Sequence, residues 1–423
     1  MKNNIFALTT YELQKIADSL QTKIEDGLKK DGTEILDIPT HIIPKKEMPD
    51  GKVLALDWGG TNFRAAVVEF KDGKPTINKA AITIYKYDKD GKLASEYTEK
   101  EKPFLEMIQK PLSAVETAGF KQEDLFAEMA DIISQLTQLD EQVTNIGYCF
   151  SYPAAARLNG DAILLHWNKE IDIPDMIEKP VGESLVKYLN SHKDIKSKFT
   201  NIKVINDTVA CLFAGLKETG YDAYIGLIVG TGTNMAGLMR LDKIKKLNSE
   251  ENSLIPVNLE SGNFNPDYLT TIDGLVDAMS KNKGRQKFEK AISGGYLGEI
   301  FKTVFMTDKI DYRFDAEDLS KMISSETDKY SDEQVQVARW ICERSAKLVA
   351  ASLAGLVQVL ICQDQTTKKI CLAADGSVFW KTPNYKDLVE KELETLLPPD
   401  ITMNIIPEMS DPNLVGSAIA ALS

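Results

Sequence analysis

Short apolar runs that end in polar residues recur along this chain, and they predict buried strands carrying chemistry at their C-terminal ends. Val53–Leu56 is followed by Asp57. Gly59 and Gly60 then permit a tight turn, and Thr61 and Asn62 supply polar atoms before a second apolar strand from Phe63. A carboxylate at the end of a buried strand is costly unless something pairs with it, and a metal-bound phosphate is one such partner. A Gly-Gly hairpin capped by Asp and Asn is the other reading of the same residues. The opening strand, FRAAVVEF, a turn over Lys71–Lys74 and TINKAAITIY predict an antiparallel meander. After the polar stretch Lys86–Lys102 the pattern predicts helical segments to about Leu139 and then a strand, Asn145–Phe150, ending at Ser151. A loop with His166-Trp167-Asn168-Lys169, a helix near Val181–Asn190 and a strand Ile202–Ile205 ahead of Asn206-Asp207 follow.

At Tyr224 the pattern restarts. IGLIVGTGTNMAGLM is an apolar strand, a Gly/Thr/Asn turn and another apolar strand, and placing Thr233-Asn234 on Thr61-Asn62 also places Gly232 on Gly60. The chain therefore reads as an internal repeat in which Val229 stands where Asp57 stood. Two related halves, each with a Gly-Thr hairpin, suit a grip on one polyphosphate. Capping boxes at Thr9/Glu12 and Ser331/Gln334 open two helices, the second running to about Cys362. KICLAA ends at Asp375-Gly376-Ser377, and a strand near Thr402–Ile406 precedes the small-residue helix Leu414–Leu422.

Composition narrows the class. The 423 residues suffice for two or three domains, 43% are hydrophobic and 27% charged, and the net charge is -13. That balance argues against nucleic-acid or anionic-membrane partners. The start has too short an apolar patch for a secretory leader, and Leu348–Cys362, broken by Ser352, Gly355 and Gln358, reads as short of a membrane span. Five cysteines without a CxxC pair, in mostly apolar surroundings, indicate buried thiols in a reducing compartment, so a cytoplasmic location is expected.

Four apolar strands end in candidate groups: Asp57, Ser151, Asp207 and Asp375. Ligands of open α/β sheets collect where such strand ends converge. There is no GxxxxGK[ST], HExxH or GxSxG, and only three histidines are present, so acid–base work falls to carboxylates. Asp207 is the best candidate for a general base in phosphoryl transfer, where a carboxylate accepts an already acidified hydroxyl proton; an N-cap is its alternative. Lys169 suits neutralisation of a transferring phosphoryl group, or is a solvated loop charge. Ser151 and Asn168 are neutral hydrogen-bonding groups of the kind polyol recognition requires, or ordinary turn residues.

LALDWGGTNFR, SYP, HWNKEI, NDTVA, GLIVGTGTN, NLESGNF, FEKAISGGYLGEI, AADGSVFWKTP and GSAIAAL, in that order from about Leu36, resemble the motifs of eukaryotic-type hexokinases in the actin-like ATPase superfamily. The resemblance implies a two-domain ribonuclease H-like α/β fold with duplicated mixed sheets flanked by helices around a central cleft. It implies a small domain of 50–205 plus 412–423 and a large one of 1–49 plus 206–411. It implies transfer of the ATP γ-phosphoryl group to the 6-hydroxyl of a hexose, D-glucose foremost, with Mg²⁺ held through water near Asp57 and Asp207 rather than directly. By matching motif, Asp207 is the base and Lys169 the phosphoryl-facing lysine. Ser151, Asn168, Lys169, Asn206, Asp207, Asn234, Glu260 and Glu289 fall at sugar positions. Asp57, Gly59, Gly60, Thr61, Asn62, Arg64, Thr231, Gly232 and Thr233 fall at phosphate positions, and Gly376 and Ser377 on the adenosine side. The implied partners are the hexose and ATP alone, for a monomer or homodimer. Tyr152 for Phe, Ala155 and Ala156 for a polar Gln, Asn168 for Thr, Glu170 for Gly and Ser261 for Trp depart from the family around the sugar, where small changes shift the choice among hexoses. Another sugar kinase of this fold, or a non-catalytic sugar sensor, is the rival reading.

Overall fold

The computed structural model describes residues 4–45, 47, 49–60, 62–75, 78–87, 93–97, 100–102, 105–113, 119–167, 171–306, 308–324 and 329–423. They form two compact units. The first comprises Met1–Asp37, Glu218–Ser253 and Val257–Glu408; the second comprises Ile38–Lys217, Leu254–Pro256 and Met409–Ser423. Residues 206–217, expected with the large domain, lie in the second unit, because the helix Asp207–Gly215 packs on Pro412–Leu422. Gly416 makes that approach possible: a Cβ there would strike the carbonyl of Ala210.

In the second unit, strands β1 (Gly51–Trp58), β2 (Asn62–Lys71), β3 (Asn78–Tyr87), β4 (Leu93–Tyr97), β5 (Glu106–Pro111), β6 (Asn145–Phe150) and β7 (Asn201–Ile205) lie in the order β7-β6-β1-β2-β5-β3-β4. β1 is antiparallel to β2 and parallel to β6, and β6 is parallel to β7. β1 has six consecutive buried residues, as a strand covered on both faces requires. The expected meander is not formed beyond β2. Asp72 and Gly73 both take positive φ and turn the chain, but only Lys74–Pro75 pairs back on β2. A proline cannot donate to a ladder, and β5 takes the vacated edge, with β3 parallel to it. β5 lies where a helix was expected; the helix of that region is Gln122–Ser134.

In the first unit, β8 (Ala223–Val229), β9 (Thr233–Arg240), β10 (Lys369–Asp375) and β11 (Thr402–Ile405) run β9-β8-β10-β11. β8 is antiparallel to β9 and parallel to β10, and β10 is parallel to β11. This repeats β2-β1-β6-β7 in order and direction, so the duplication read from the hairpins extends to the sheets. Both capping boxes form, at Thr10–Lys29 and Asp332–Gln363. The latter helix is, by length and composition, apolar enough to cross a membrane, contrary to the shorter stretch read from the sequence. Within the unit, 78% of its apolar window is buried.

Asp37 is an expensive feature of this unit. It is fully buried at φ 46°, and neither carboxylate oxygen has a hydrogen-bond partner among the described residues. Burial pushes its pKa up to about 9, with the Lys246 charge pulling only partly the other way. The carboxyl is therefore neutral in the folded chain at pH 7 and ionised in the unfolded one. Between about pH 4 and 9 the folded state holds the extra proton, so this group makes stability fall as pH rises, by up to about 1.4 kcal/mol per pH unit. Asp37→Asn, whose residue type tolerates positive φ, is expected to raise the urea midpoint strongly at pH 8 and scarcely at pH 4. An increment independent of pH would refute the buried neutral acid.

Candidate active site

Three adjacent parallel strands of the second unit end together. Asp57 of β1 lies opposite Cys149 of β6, which lies opposite Ile205 of β7. Ser151 follows β6 and Asp207 follows β7, so both join Asp57 at one edge of the sheet. Burial pushes the Cys149 thiol well up, and the nearby charges of Asp57 and then Asp207 push it further, so both carboxylates act on one sulfur. Asn206 is the N-cap, accepting from the Thr208 N–H at 2.9 Å, while Asp207 opens the helix and its Oδ1 accepts from the same N–H at 2.8 Å. Capping thus falls to Asn206, and Asp207 sits at the positive end of the helix.

Asp57 is 4% exposed and is held from two sides. Arg64, its cross-strand neighbour, ion-pairs with it and with Asp411 at 3.0 Å, and Asn413 donates to Asp57 Oδ1 at 3.4 Å. Burial alone would lower the Arg64 pKa, but the charges of Asp57 and Asp411 outweigh it and hold the guanidinium above its ordinary value. Arg64, expected at the phosphates, is thus engaged by carboxylates. The indole Nε1 of Trp58 donates to the Gly60 carbonyl at 2.8 Å and shapes the glycine turn. Asn62 is exposed at the start of β2. Thr61, Asn168 and Lys169 lie outside the described residues.

The first unit repeats the arrangement. β8 ends at Val229, and the turn of Gly230, Thr231 and Gly232 leads into β9. The N-terminus of the helix Gly294–Val304 seats on that turn, Gly294 donating to the Gly230 carbonyl at 2.7 Å and Gly295 to that of Thr231 at 3.0 Å. Gly376 follows the neighbouring β10 at φ 110°, and any Cβ there would strike the Val229 carbonyl. Ser377 and Thr231 thereby line one cavity of about 350 Å³, together with Gly295, Lys302, Tyr312 and Phe314. Glu289 accepts from the Thr233 N–H at 3.1 Å. Asn234 Nδ2 donates to Asn258 at 2.7 Å, Asn258 Nδ2 donates to Glu260 at 2.8 Å, and the Ser261 N–H donates to Asn234 at 3.1 Å. Amide and carboxylate groups linked in this way can meet several hydroxyls in fixed directions.

The structure therefore groups Asp57, Gly59, Gly60, Arg64, Ser151, Asn206 and Asp207 in one unit. It groups Thr231, Gly232, Thr233, Asn234, Glu260, Glu289, Gly376 and Ser377 in the other. Asn258, Asp411 and Asn413 were missed. Asn258, a polar residue closing the apolar run LIPVN, carries the same strand-end signal as the residues that were found. Asp411 and Asn413 stand some 350 positions from Asp57 in the chain and gave no local signal.

Two sheets of the same order and direction, each with a glycine turn in its hairpin and a carboxylate beside the first, define a duplicated fold of the actin-like ATPase type. Family profiles described as Hexokinase match residues 3–216 and 224–423, so the chain belongs to the hexokinase family and is a hexose kinase. It is 27% identical to Hexokinase-1 of Saccharomyces cerevisiae over 93% of this chain and 84% of that protein. It is 30% identical to the hexokinase of Plasmodium falciparum over 88% of this chain and 78% of that one. In fold it resembles the Schistosoma mansoni hexokinase solved with glucose, with a TM-score of 0.74 at 21% identity, covering 99% of this chain and 96% of that one.

Proposed function

We propose that this chain transfers the γ-phosphoryl group of ATP to the 6-hydroxyl of a hexose, D-glucose foremost, giving hexose 6-phosphate for glycolysis in the cytoplasm. The observation that carries the reading is the convergence of Asp57 and Asp207 on Cys149, which sets a candidate base beside a candidate phosphate turn. Asp207 is assigned as the base that takes the 6-hydroxyl proton late in transfer. Lys169 is assigned to the charge on the transferring group. Ser151, Asn168, Lys169, Asn206, Asp207, Asn234, Glu260 and Glu289 are assigned to the hexose. Asp57, Gly59, Gly60, Thr61, Asn62, Arg64, Thr231, Gly232 and Thr233 are assigned to the phosphates, Arg64 acting through Asp57. Gly376 and Ser377 are assigned to the nucleoside, supported by the cavity beside Ser377.

Asp57 and Asp207 offer hard carboxylate oxygens, and Asp57 is already engaged by Arg64 and Asn413. This set fits a Mg²⁺ borne by the phosphates and met through water by Asp57 and Asp207. Such an ion neutralises charge on the phosphate oxygens. Hexose and ATP are the only partners proposed, for a monomer or homodimer without nucleic acid or membrane. The Ser261 hydroxyl, buried without a hydrogen-bond partner among the described residues next to the Asn234–Asn258–Glu260 group, favours a preference for a hexose other than glucose as the second reading.

Purified protein with Mg-ATP and a panel of hexoses is expected to release ADP only when a sugar is present, fastest with glucose. No sugar-stimulated ADP release would sink the kinase reading, and a faster competitor sugar would select the second one.

A further inference from the structure

Ring contacts outside the assigned residues join three segments of the second unit. Trp58, fully buried, lies between Asp57 and the Gly59–Gly60 turn, and its indole N–H is bonded to Gly60. Phe150 and Tyr152 flank Ser151, and Trp167 directly precedes Asn168 and Lys169 in the chain. Ring centroids of Trp58 and Tyr152 are 4.9 Å apart, those of Tyr152 and Trp167 5.0 Å, and those of Trp58 and Trp167 5.7 Å. Phe150 closes the group at 5.0 Å from Tyr152 and 6.0 Å from Trp58. Trp167 is anchored by its own N–H on the Ile173 carbonyl at 2.8 Å, and Ser151 by its N–H on the Trp58 carbonyl at 3.3 Å. Burial and then the Asp57 charge push the Tyr152 phenol up, which places that hydroxyl within the field of the phosphate-turn carboxylate.

From this packing we infer that Trp58 is a positioning residue for the Gly59–Gly60 turn, and that Tyr152 and Trp167 brace it so that hexose occupancy is felt at the nucleotide phosphates. The inference rests on the assignment of Ser151 to the hexose and of Gly59 and Gly60 to the phosphates. A close-packed aromatic group transmits a displacement because it has no free volume to absorb one. A hexose that holds the Ser151 segment in place thereby holds Tyr152 against the indole, and through the indole's hydrogen bond the turn. Ordering done by the first ligand is ordering the second need not do, which appears as mutual tightening of the two.

The test titrates wild type, Trp58→Phe, Trp58→Leu and Trp167→Phe with glucose and with the Mg²⁺ complex of a β,γ-imido analogue of ATP, each ligand alone and with the other saturating. Wild type is expected to bind the analogue several-fold more tightly with glucose present. Trp58→Leu is expected to lose that tightening while glucose alone binds within about twofold of wild type, a tenfold change corresponding to about 1.4 kcal/mol. Trp58→Phe, which keeps a ring but no N–H, and Trp167→Phe are expected to lie between. A merely structural role would weaken both ligands together without changing their ratio. An unchanged tightening in Trp58→Leu overturns the proposal; if that variant does not fold, an unchanged tightening in Trp58→Phe does so. So does a wild type in which glucose leaves analogue affinity unaltered. Tightening that depends on Trp58 in a protein without hexose-stimulated ADP release would uphold the proposal and fall on the kinase reading instead.

Discussion

Asp207→Ala is expected to lower the turnover number by about 10²–10⁴, the range a positioned general base contributes. The hexose should still bind, because Ser151 and Asn206, assigned to it in the same unit, are untouched. Turnover and affinity therefore separate, the signature of a group that acts in the transition state. The competing account is that Asp207 only helps to start the helix Asp207–Gly215. It predicts a stability loss of about 1 kcal/mol with near-normal turnover. Asn206→Ala supplies the contrast, since its side chain makes the N-cap bond, and it should lose stability with a smaller effect on turnover. Steady-state kinetics, glucose titration and thermal melts on the two variants decide between them. Near-normal turnover in Asp207→Ala would return that residue to the helix end.

What could be read from the chain was whatever a few neighbouring residues determine. An apolar run followed by Asp and two glycines carries both a strand and its functional terminus within eleven residues, and so Asp57 and the repeat at Thr233 were legible. Capping boxes were legible for the same reason: Thr9 and Glu12 satisfy each other's backbone donors within one turn. Pairing partners were not. That Glu106–Pro111 displaces Asn78–Tyr87 beside β2 depends on Pro75 failing to extend a ladder and on a segment some thirty residues further on. Charge partners were hidden most completely. Arg64 next to a glycine turn reads as a phosphate ligand; its pairing with Asp57 follows from the hairpin register, and only the return of the C-terminal segment to β1 reveals the second carboxylate, Asp411. The cost of Asp37 was invisible because burial is a property of the packed unit, not of the tripeptide Leu36-Asp37-Ile38.

Arg64→Met is expected to destabilise the second unit by about 3 kcal/mol and to impair the phosphate turn at the same time. Removing one member of a buried ionic group costs about 3–5 kcal/mol because the remaining charge is left without compensation. Here two carboxylates are left, with side chains 6% and 13% exposed, while Arg64 itself is 24% exposed, which argues for the lower end of that range. The pH dependence has a definite sign. Without the guanidinium, Asp57 keeps the Asn413 amide and Asp411 the Ser410 hydroxyl, neutral donors that do not offset the cost of a buried charge, so the deficit of the variant should shrink toward pH 4 and grow toward pH 8. Arg64→Lys should recover only part of the loss, because one ammonium lacks the fork that spans two acids. Adding Asp411→Asn to Arg64→Met should also recover part, since one of the two negative charges deprived of the guanidinium is removed, whereas the same change in wild type should be destabilising. Urea unfolding of wild type and the four variants at pH 5 and pH 8 checks these expectations. If Arg64→Met lies within about 1 kcal/mol of wild type at pH 8, the pairing is no stronger than an ordinary surface ion pair. Arg64 would then be available to the phosphates directly, and its role in holding Asp57 would fall.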